Sequence, residues 1–319
     1  MTEPLRVAVL DDYQGIADTV DWSPIPRPAE ITSLREHIAP GPALAEKLAG
    51  HEVVVAMRER TPIDVTLLAQ LPTLKLLVTT GPFNAAIDVA AAHRLGITVS
   101  GTGGAVTPTV EHTWALILGL QRHLVTEDLR IRNGLWQSTI GSDLHGATLG
   151  LVGVGRIGSR VAAIGKAFGM NVIAWSPNLT DERAAEAGVV RVDREALFAA
   201  ADVMSLHMVL AETTRGLIGA AELAAMKPSA ILVNTSRGGL IDEAALLESL
   251  RGKQIRGAAL DVFQQEPLPP AHPLATLPNT LLTPHLGYVT KGVMDIFYRD
   301  IVEDIAAYCA GSPLRLLTG

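Results

Sequence analysis

The chain has 319 residues, a net charge of −7 and a pI of about 5.7, and its 48% hydrophobic and 18% charged residues describe a folded chain of roughly two domains with no basic face for nucleic acid. Its single cysteine, Cys309, excludes an internal disulfide framework and multi-cysteine metal sites, and fits a reducing, cytoplasmic setting. The opening MTEPLRVAVLDD lacks the apolar stretch of a signal peptide, and no apolar run approaches the roughly 18 residues of a membrane helix.

Strand-like and helix-like segments alternate along the chain. Leu5–Leu10 reads as a short buried strand, Ala43–Ala49 as a helix ending at Gly50, and Glu52–Met57 as the next strand. Thr61-Pro62-Ile63-Asp64 has the form of a helix start, with Thr61 as cap and proline in the first turn. Leu74–Thr79 is a strand, Asp88–Leu95 a helix closed by Gly96, and Ile97–Ser100 a strand again. Such alternation implies a parallel sheet covered by helices on both faces. The small, flexible run Thr102–Pro108 marks a domain crossing, and a long helix follows it. A second alternation begins at Thr148–Val152 and continues through Val172–Trp175, Val203–His207, Ala230–Asn234 and Ile255–Leu260 to Leu281–Leu282. A final helix, Thr290–Ala310, carries Val293, Ile296, Phe297, Ile301, Ile305 and Tyr308 at helical spacing. The simplest arrangement has one domain, residues 103–285, interrupting another made of 1–102 and 286–319.

Gly153-Val-Gly155-Arg156-Ile157-Gly158 is a G-x-G-x-x-G placed directly after a strand and before a helix. In that context the first glycine permits a tight turn, the second lets backbone approach a pyrophosphate, and the third lets helix pack on strand. The helix N-terminus adds amide donors and partial positive charge. The plainer alternative is a glycine-rich turn of any α/β protein. At the end of the following strand, where an acid usually takes the ribose 2′-hydroxyl, the residue is Ser176. No carboxylate there repels a 2′-phosphate, and Arg183 is the nearest cation, so NADP(H) stays open beside NAD(H).

Three later segments combine polar residues with strand ends: Asn234-Thr-Ser-Arg237, Asp261-Val-Phe-Gln-Gln-Glu266 and Thr283-Pro-His285. Ligands of open α/β sheets bind outside the carboxyl ends of the strands, so Arg237, Glu266 and His285 are candidates to converge beside a cofactor. Each alone has an ordinary reading as a solvated arginine, a surface acid or a packing histidine. His207 reads as a packing or hydrogen-bonding residue, and His37, His51, His93 and His123 as structural or surface residues. No His, Asp and Glu spacing resembles a metal site.

These motifs, in this order and with Met226-Lys-Pro-Ser-Ala-Ile-Leu between them, make the chain resemble the D-isomer-specific 2-hydroxyacid dehydrogenase family over nearly its whole length. The resemblance implies an α/β fold of two doubly wound parallel-sheet domains, with a Rossmann cofactor domain inserted into a flavodoxin-like substrate domain. It implies that Arg237 binds the substrate carboxylate and carbonyl, that His285 is the acid/base and that Glu266 is its partner. Asp261 would contact the nicotinamide end, and Arg156 and Ile157 would present amides to the pyrophosphate. A carboxylate favours the charged form of a neighbouring histidine, which can then donate a proton as the substrate oxygen gains charge. Arginine's planar fork can hold a carboxylate by two bonds.

The sequence departs from the family in the first-domain substrate loop. Gly81-Pro82-Phe83 stands where Gly-Val-Gly is common, so Pro82 removes an amide donor and Phe83 adds bulk. Tyr288 replaces a glycine of the motif that follows the histidine. These changes suggest either a reshaped, less polar pocket or simple packing between the domains. Formate dehydrogenases of the same superfamily carry glutamine where this chain has Glu266, and formate needs no proton transfer. The chain ends soon after its last helix, leaving no room for the regulatory domain of some phosphoglycerate dehydrogenases. Family dimers form through the segment between the domains; here Pro108–Leu124, with Trp114, Leu116, Ile117, Leu118 and Leu120, is too apolar for solvent on every side, so a homodimer is expected. Hinge closure about a cleft is expected as well. Two other functions share the fold: a cofactor-sensing, corepressor-like binding module, and a dehydrogenase of a non-hydroxyacid substrate such as phosphite.

Overall fold

Short runs rich in valine and leucine, most of them bounded by turn residues, form the strands of two parallel sheets. The computed structural model describes residues 3–318. They divide into a first unit, made of the described residues up to Ala105 and from Thr290 onward, and a second, Val106–Val289.

The first unit contains β1 (Leu5–Val9), β2 (Ala29–Ser33), α1 (Pro42–Leu48), β3 (Val53–Ala56), α2 (Val65–Leu68), β4 (Leu76–Thr79), α3 (Val89–Arg94), β5 (Thr98–Gly101) and a last helix, Lys291–Cys309. Its sheet runs β2-β1-β3-β4-β5, all parallel, the flavodoxin-like order. The central strands Val-Val-Val-Ala and Leu-Leu-Val-Thr are buried throughout, as strands covered on both faces must be. Strand β2 escapes a sequence reading because it lies at the sheet's edge and carries one large aliphatic residue, Ile31. The helix start expected at Thr61 also needs correction. Asp64 is the cap of α2 and accepts from the Leu67 amide at 2.9 Å. Ile63 cannot be helical, because it bridges to Ile87 and its amide donates to the Ala86 carbonyl. The Thr61 hydroxyl instead donates to Asp11 at 2.6 Å.

The second unit contains α4 (Thr107–Gln121), α5 (Leu124–Arg132), β6 (Thr148–Val152), α6 (Gly158–Ala167), β7 (Asn171–Trp175), α7 (Asp181–Ala187), β8 (Val190–Arg191), α8 (Arg194–Ala200), β9 (Val203–Leu206), α9 (Ala220–Ala225), β10 (Ile231–Asn234), α10 (Glu243–Arg251), β11 (Gly257–Leu260) and β12 (Thr280–Leu282). Its parallel sheet runs β12-β11-β10-β9-β6-β7-β8. Counted from β6, this is the Rossmann order with one further strand at the end, and the strand order reverses between β6 and β9. Residues alternate between two cores along these strands. Leu149, Leu151, Ile231 and Val233 face one core, while Val152, Leu232 and Met204 face the other with Phe198 and Leu246.

The apolar side of α4 belongs to the first of these cores. Trp114, Leu116 and Ile117 are buried in the cluster that holds Leu149, Leu151 and Val161, while Leu118 and Leu120 are partly buried, so the apolar run is covered within this unit on one side. The exposed apolar surface lies just beyond them. No residue of α5 is buried, and Leu124, Val125, Leu129, Ile131, Leu135, Trp136 and Ile140 all stand largely in solvent.

Candidate active site

The glycine-rich loop leaves β6 at the point where the strand order reverses. Gly153 has a φ of 97°, and a Cβ there would sit 2.6 Å from the His207 carbonyl oxygen, so only glycine fits. At Gly158 a Cβ would collide with the Gly153 carbonyl, so helix α6 begins in direct contact with the turn. Gly155 differs, since a Cβ there would meet nothing within 4 Å. Helix α6 has no side-chain cap of its own, whereas α7, α8 and α10 are capped by Thr180, Asp193 and Asp242. A group outside Gly155 can therefore take the amides at the start of α6. Arg156, whose carbonyl accepts from Arg160 at 2.6 Å, and Ile157 complete this turn.

Three loops at the carboxyl ends of β10, β11 and β12 carry the predicted polar residues, and they are joined to one another. Nδ1 of His285 lies 2.6 Å from Oε2 of Glu266. The other oxygen of Glu266 accepts the Phe263 amide at 2.9 Å, which fixes the carboxylate's orientation. Gly238, next to Arg237, packs so tightly on the Phe263 backbone that no Cβ fits. Arg237 is half-buried, and its Nη1 donates to the Ser236 carbonyl. With Nδ1 directed at Glu266, Nε2 is the His285 nitrogen able to exchange a proton with a ligand. Tyr288 is buried and stands edge-on to the His285 ring at 5.4 Å between centroids.

His285 has a φ of 56°, in the left-handed region that a histidine adopts only when its surroundings impose it. The imposing group is Asp261. Its fully buried carboxylate accepts the amides of Leu286 at 2.7 Å and Gly287 at 2.9 Å, and the Thr283 hydroxyl at 2.6 Å. Nε2 of His112, on α4, lies 3.1 Å from the same carboxylate and 2.9 Å from the Thr283 hydroxyl. Burial alone would raise the Asp261 pKa, but the bonds from His112, Thr283 and the Leu286 amide outweigh it and hold the group below the ordinary carboxylate value. The sequence assigns no role to His112, and it places Thr283 in the His285 segment without a function of its own. The available signal was a histidine at helical spacing from Thr109, whose hydroxyl bonds the Gly287 carbonyl at 3.1 Å.

In the first unit, the Gly81-Pro82-Phe83 loop follows β4. The Gly81 amide is already taken by the Thr102 hydroxyl at 2.7 Å, Pro82 has none, and Phe83 is 64% exposed. The Arg58 guanidinium lies where a Gly81 side chain would be, and its Nη1 donates to the Thr80 carbonyl at 3.3 Å.

Residues 114–287 match the NAD-binding domain of the D-isomer specific 2-hydroxyacid dehydrogenases. A glyoxylate reductase of Aeropyrum pernix is 42% identical over 259 residues, covering 78% of this chain and 77% of that one. The chain belongs to the D-isomer specific 2-hydroxyacid dehydrogenase family. A D-3-phosphoglycerate dehydrogenase of Archaeoglobus fulgidus is 36% identical over 85% of this chain, which spans only 52% of that relative's length. The crystal structure of a phosphoglycerate oxidoreductase from Vibrio cholerae superposes with a TM-score of 0.92 at 37% identity, over 96% of this chain and 99% of that one.

The open space before Gly155 and the uncapped start of α6 fit the pyrophosphate of the NAD(H) that this dehydrogenase domain takes. At the end of β7, Ser176 is half-buried, and Arg183 is anchored on the same loop through the Asn178 carbonyl at 3.1 Å. Beneath the glycine turn, His207 places Nε2 3.0 Å from the Ser205 hydroxyl. Burial pushes its pKa down from 6.5 to about 4. The folded protein thus resists protonating a residue that protonates readily when unfolded. Its contribution is fully present above pH 6.5 and is lost as the pH falls toward 4. Urea unfolding should show up to about 3 kcal/mol lost between pH 7 and pH 4 through this residue. His207→Gln should remove that part of the slope; an equal slope in both proteins would refute the assignment.

Proposed function

We propose that the chain is an NAD(H)-dependent oxidoreductase that interconverts a 2-oxo acid and a D-2-hydroxy acid, working as a 2-oxoacid reductase. The observation that carries this reading is the His285–Glu266 pair at 2.6 Å, joined through Phe263 to the Arg237 loop on the sheet that bears the glycine turn. NADH, when bound, supplies the hydride for the oxo carbon. Arg237 holds the substrate carboxylate with its planar fork and draws charge onto the carbonyl oxygen. His285 gives the Nε2 proton to that oxygen as it becomes an alkoxide, and Glu266 stabilises the imidazolium before transfer and keeps the ring oriented. In the reverse direction neutral His285 takes the hydroxyl proton. A positioned acid of this kind is worth about 10²–10⁴-fold in rate. Residues 1–102 and 286–319 would form the substrate domain, and 103–285 the cofactor domain.

Asp261 acts on the nicotinamide end through the loop it holds, since its own oxygens are occupied by protein donors. In the loop Gly81–Phe83 the Gly81 amide is taken and Pro82 has none, and exposed Phe83 favours apolar substrate side chains. Ser176 and Arg183 allow NADPH to serve beside NADH. Among the described residues, no helix is long and apolar enough to cross a membrane, and we place the enzyme in the cytoplasm.

The reading is tested by absorbance assays of NADH and NADPH oxidation over 2-oxo acids from glyoxylate and hydroxypyruvate to bulkier apolar side chains. Turnover is expected with both cofactors, and Arg237→Ala should raise KM strongly and lower kcat. A protein that binds the cofactor yet turns over none of these acids would refute it. The homodimer we propose buries the exposed apolar residues of α5 and of Leu135–Ile140 between two copies. Light scattering at micromolar concentration should give twice the chain's 33.7 kDa, and a single monomer mass would contradict it.

A further inference from the structure

We propose that His112 is a positioning residue for the reaction, because through Asp261 and Thr283 it fixes the backbone around His285 and so holds the imidazole against Glu266. The proposal rests on the function assigned above to His285.

His285 sits in a left-handed conformation between Thr283, whose carbonyl accepts the His285 amide at 3.0 Å, and Leu286 and Gly287, whose amides both end on Asp261. A non-glycine residue in that region is strained and persists only when its neighbours over-determine it. Asp261 supplies the constraint, but a buried carboxylate is itself held only as firmly as its donors allow. Oδ1 gathers three of them: the Leu286 amide, the Thr283 hydroxyl and His112. The Thr283 hydroxyl donates its one proton to Asp261, so toward His112 it can only accept. Both groups facing His112 Nε2 are therefore acceptors, and that nitrogen must carry a proton. The imidazole thus ties together a carboxylate from the end of β11 and a hydroxyl from the end of β12, from a rigid helix that passes beneath both strands. Two further bonds from the same face of α4 agree with this role. Thr109 donates to the Gly287 carbonyl, and Thr113 lies 2.8 Å from the Thr235 hydroxyl, two residues before Arg237. The His112 side chain is mostly buried and touches neither Glu266 nor the His285 ring among the hydrogen bonds of the described residues. Its influence runs through Asp261.

The test compares the full-length wild type with His112→Ala, His112→Gln and Thr283→Val. Gln can place an amide N–H near the position of Nε2, so it keeps the link that Ala removes. With NADH and the best 2-oxo acid, His112→Ala should lower kcat by roughly tenfold to a hundredfold while KM for NADH stays within about twofold. His112→Gln should recover most of that loss. Hydrogen exchange of the Leu286 and Gly287 amides should quicken by about tenfold in His112→Ala and stay slow in His112→Gln. Should His112→Ala fail to fold, Thr283→Val breaks the same link and must show the same two effects. Unchanged kcat with unchanged amide protection in a folded variant would overturn the proposal, as would Gln being no better than Ala. If the wild type turns over no 2-oxo acid, the assigned function fails, and the exchange measurement still decides the clamp: unchanged protection in His112→Ala sinks it.

Discussion

A carboxylate with no access to water must find its hydrogen bonds inside the protein, and the active end of the second unit is arranged around that requirement at Asp261. Four donors converge on it from helix α4, from Thr283 and from two consecutive backbone amides. Satisfying the charge forces the chain after β12 into a tight, left-handed course at His285, and that course aims the imidazole at Glu266. A neutral side chain at 261 would satisfy fewer of these donors and leave amides unpaired in the interior, at a cost of about 1–3 kcal/mol each. The approach of His285 to Glu266 is therefore a consequence of burying a charge directly after β11, as much as of the two residues that form the pair.

Helix α4 is the element that makes this possible. Its apolar face is consumed by the core of the second unit, where Trp114 and Ile117 are buried and the helix packs on β10, β11, β12 and α6. Its remaining face offers Thr109, His112 and Thr113 at helical spacing, and each is bonded to a loop that carries a proposed functional residue. A rigid helix can position groups within the narrow tolerance that hydride and proton transfer need, in a way that mobile loops alone cannot. The glycine turn obeys a similar logic of close contact. Two of its glycines are fixed by collisions with backbone, and the third leaves the space a phosphate needs.

Much of this is written locally in the sequence. The alternation of strands and helices, the turn from Gly153 to Gly158 and the strand-end positions of Arg237, Glu266 and His285 are all patterns of neighbouring residues. What escapes are features decided by distant partners. Thr61 has the form of a cap, but Ile63 is drawn into a bridge with Ile87, so Asp64 takes that place. The apolar run of α4 has the composition of an interface, yet its partners are strands more than thirty residues later in the same chain. His112 carries no local signal of its link to Asp261, 149 residues away. Phe83 and Tyr288 were paired in the sequence only by being unusual. One is exposed, and the other is buried edge-on against His285, so their roles differ.

The most direct measurement is the product formed by the wild type and by His285→Ala from a 2-oxo acid and 4-deuterated NADH, resolved on a chiral column. The account predicts that the wild type gives the D-2-hydroxy acid with deuterium at C2, and that His285→Ala gives the same enantiomer at a rate lower by about 10²–10⁴-fold. An L product, or full turnover by His285→Ala across the pH range, would contradict it.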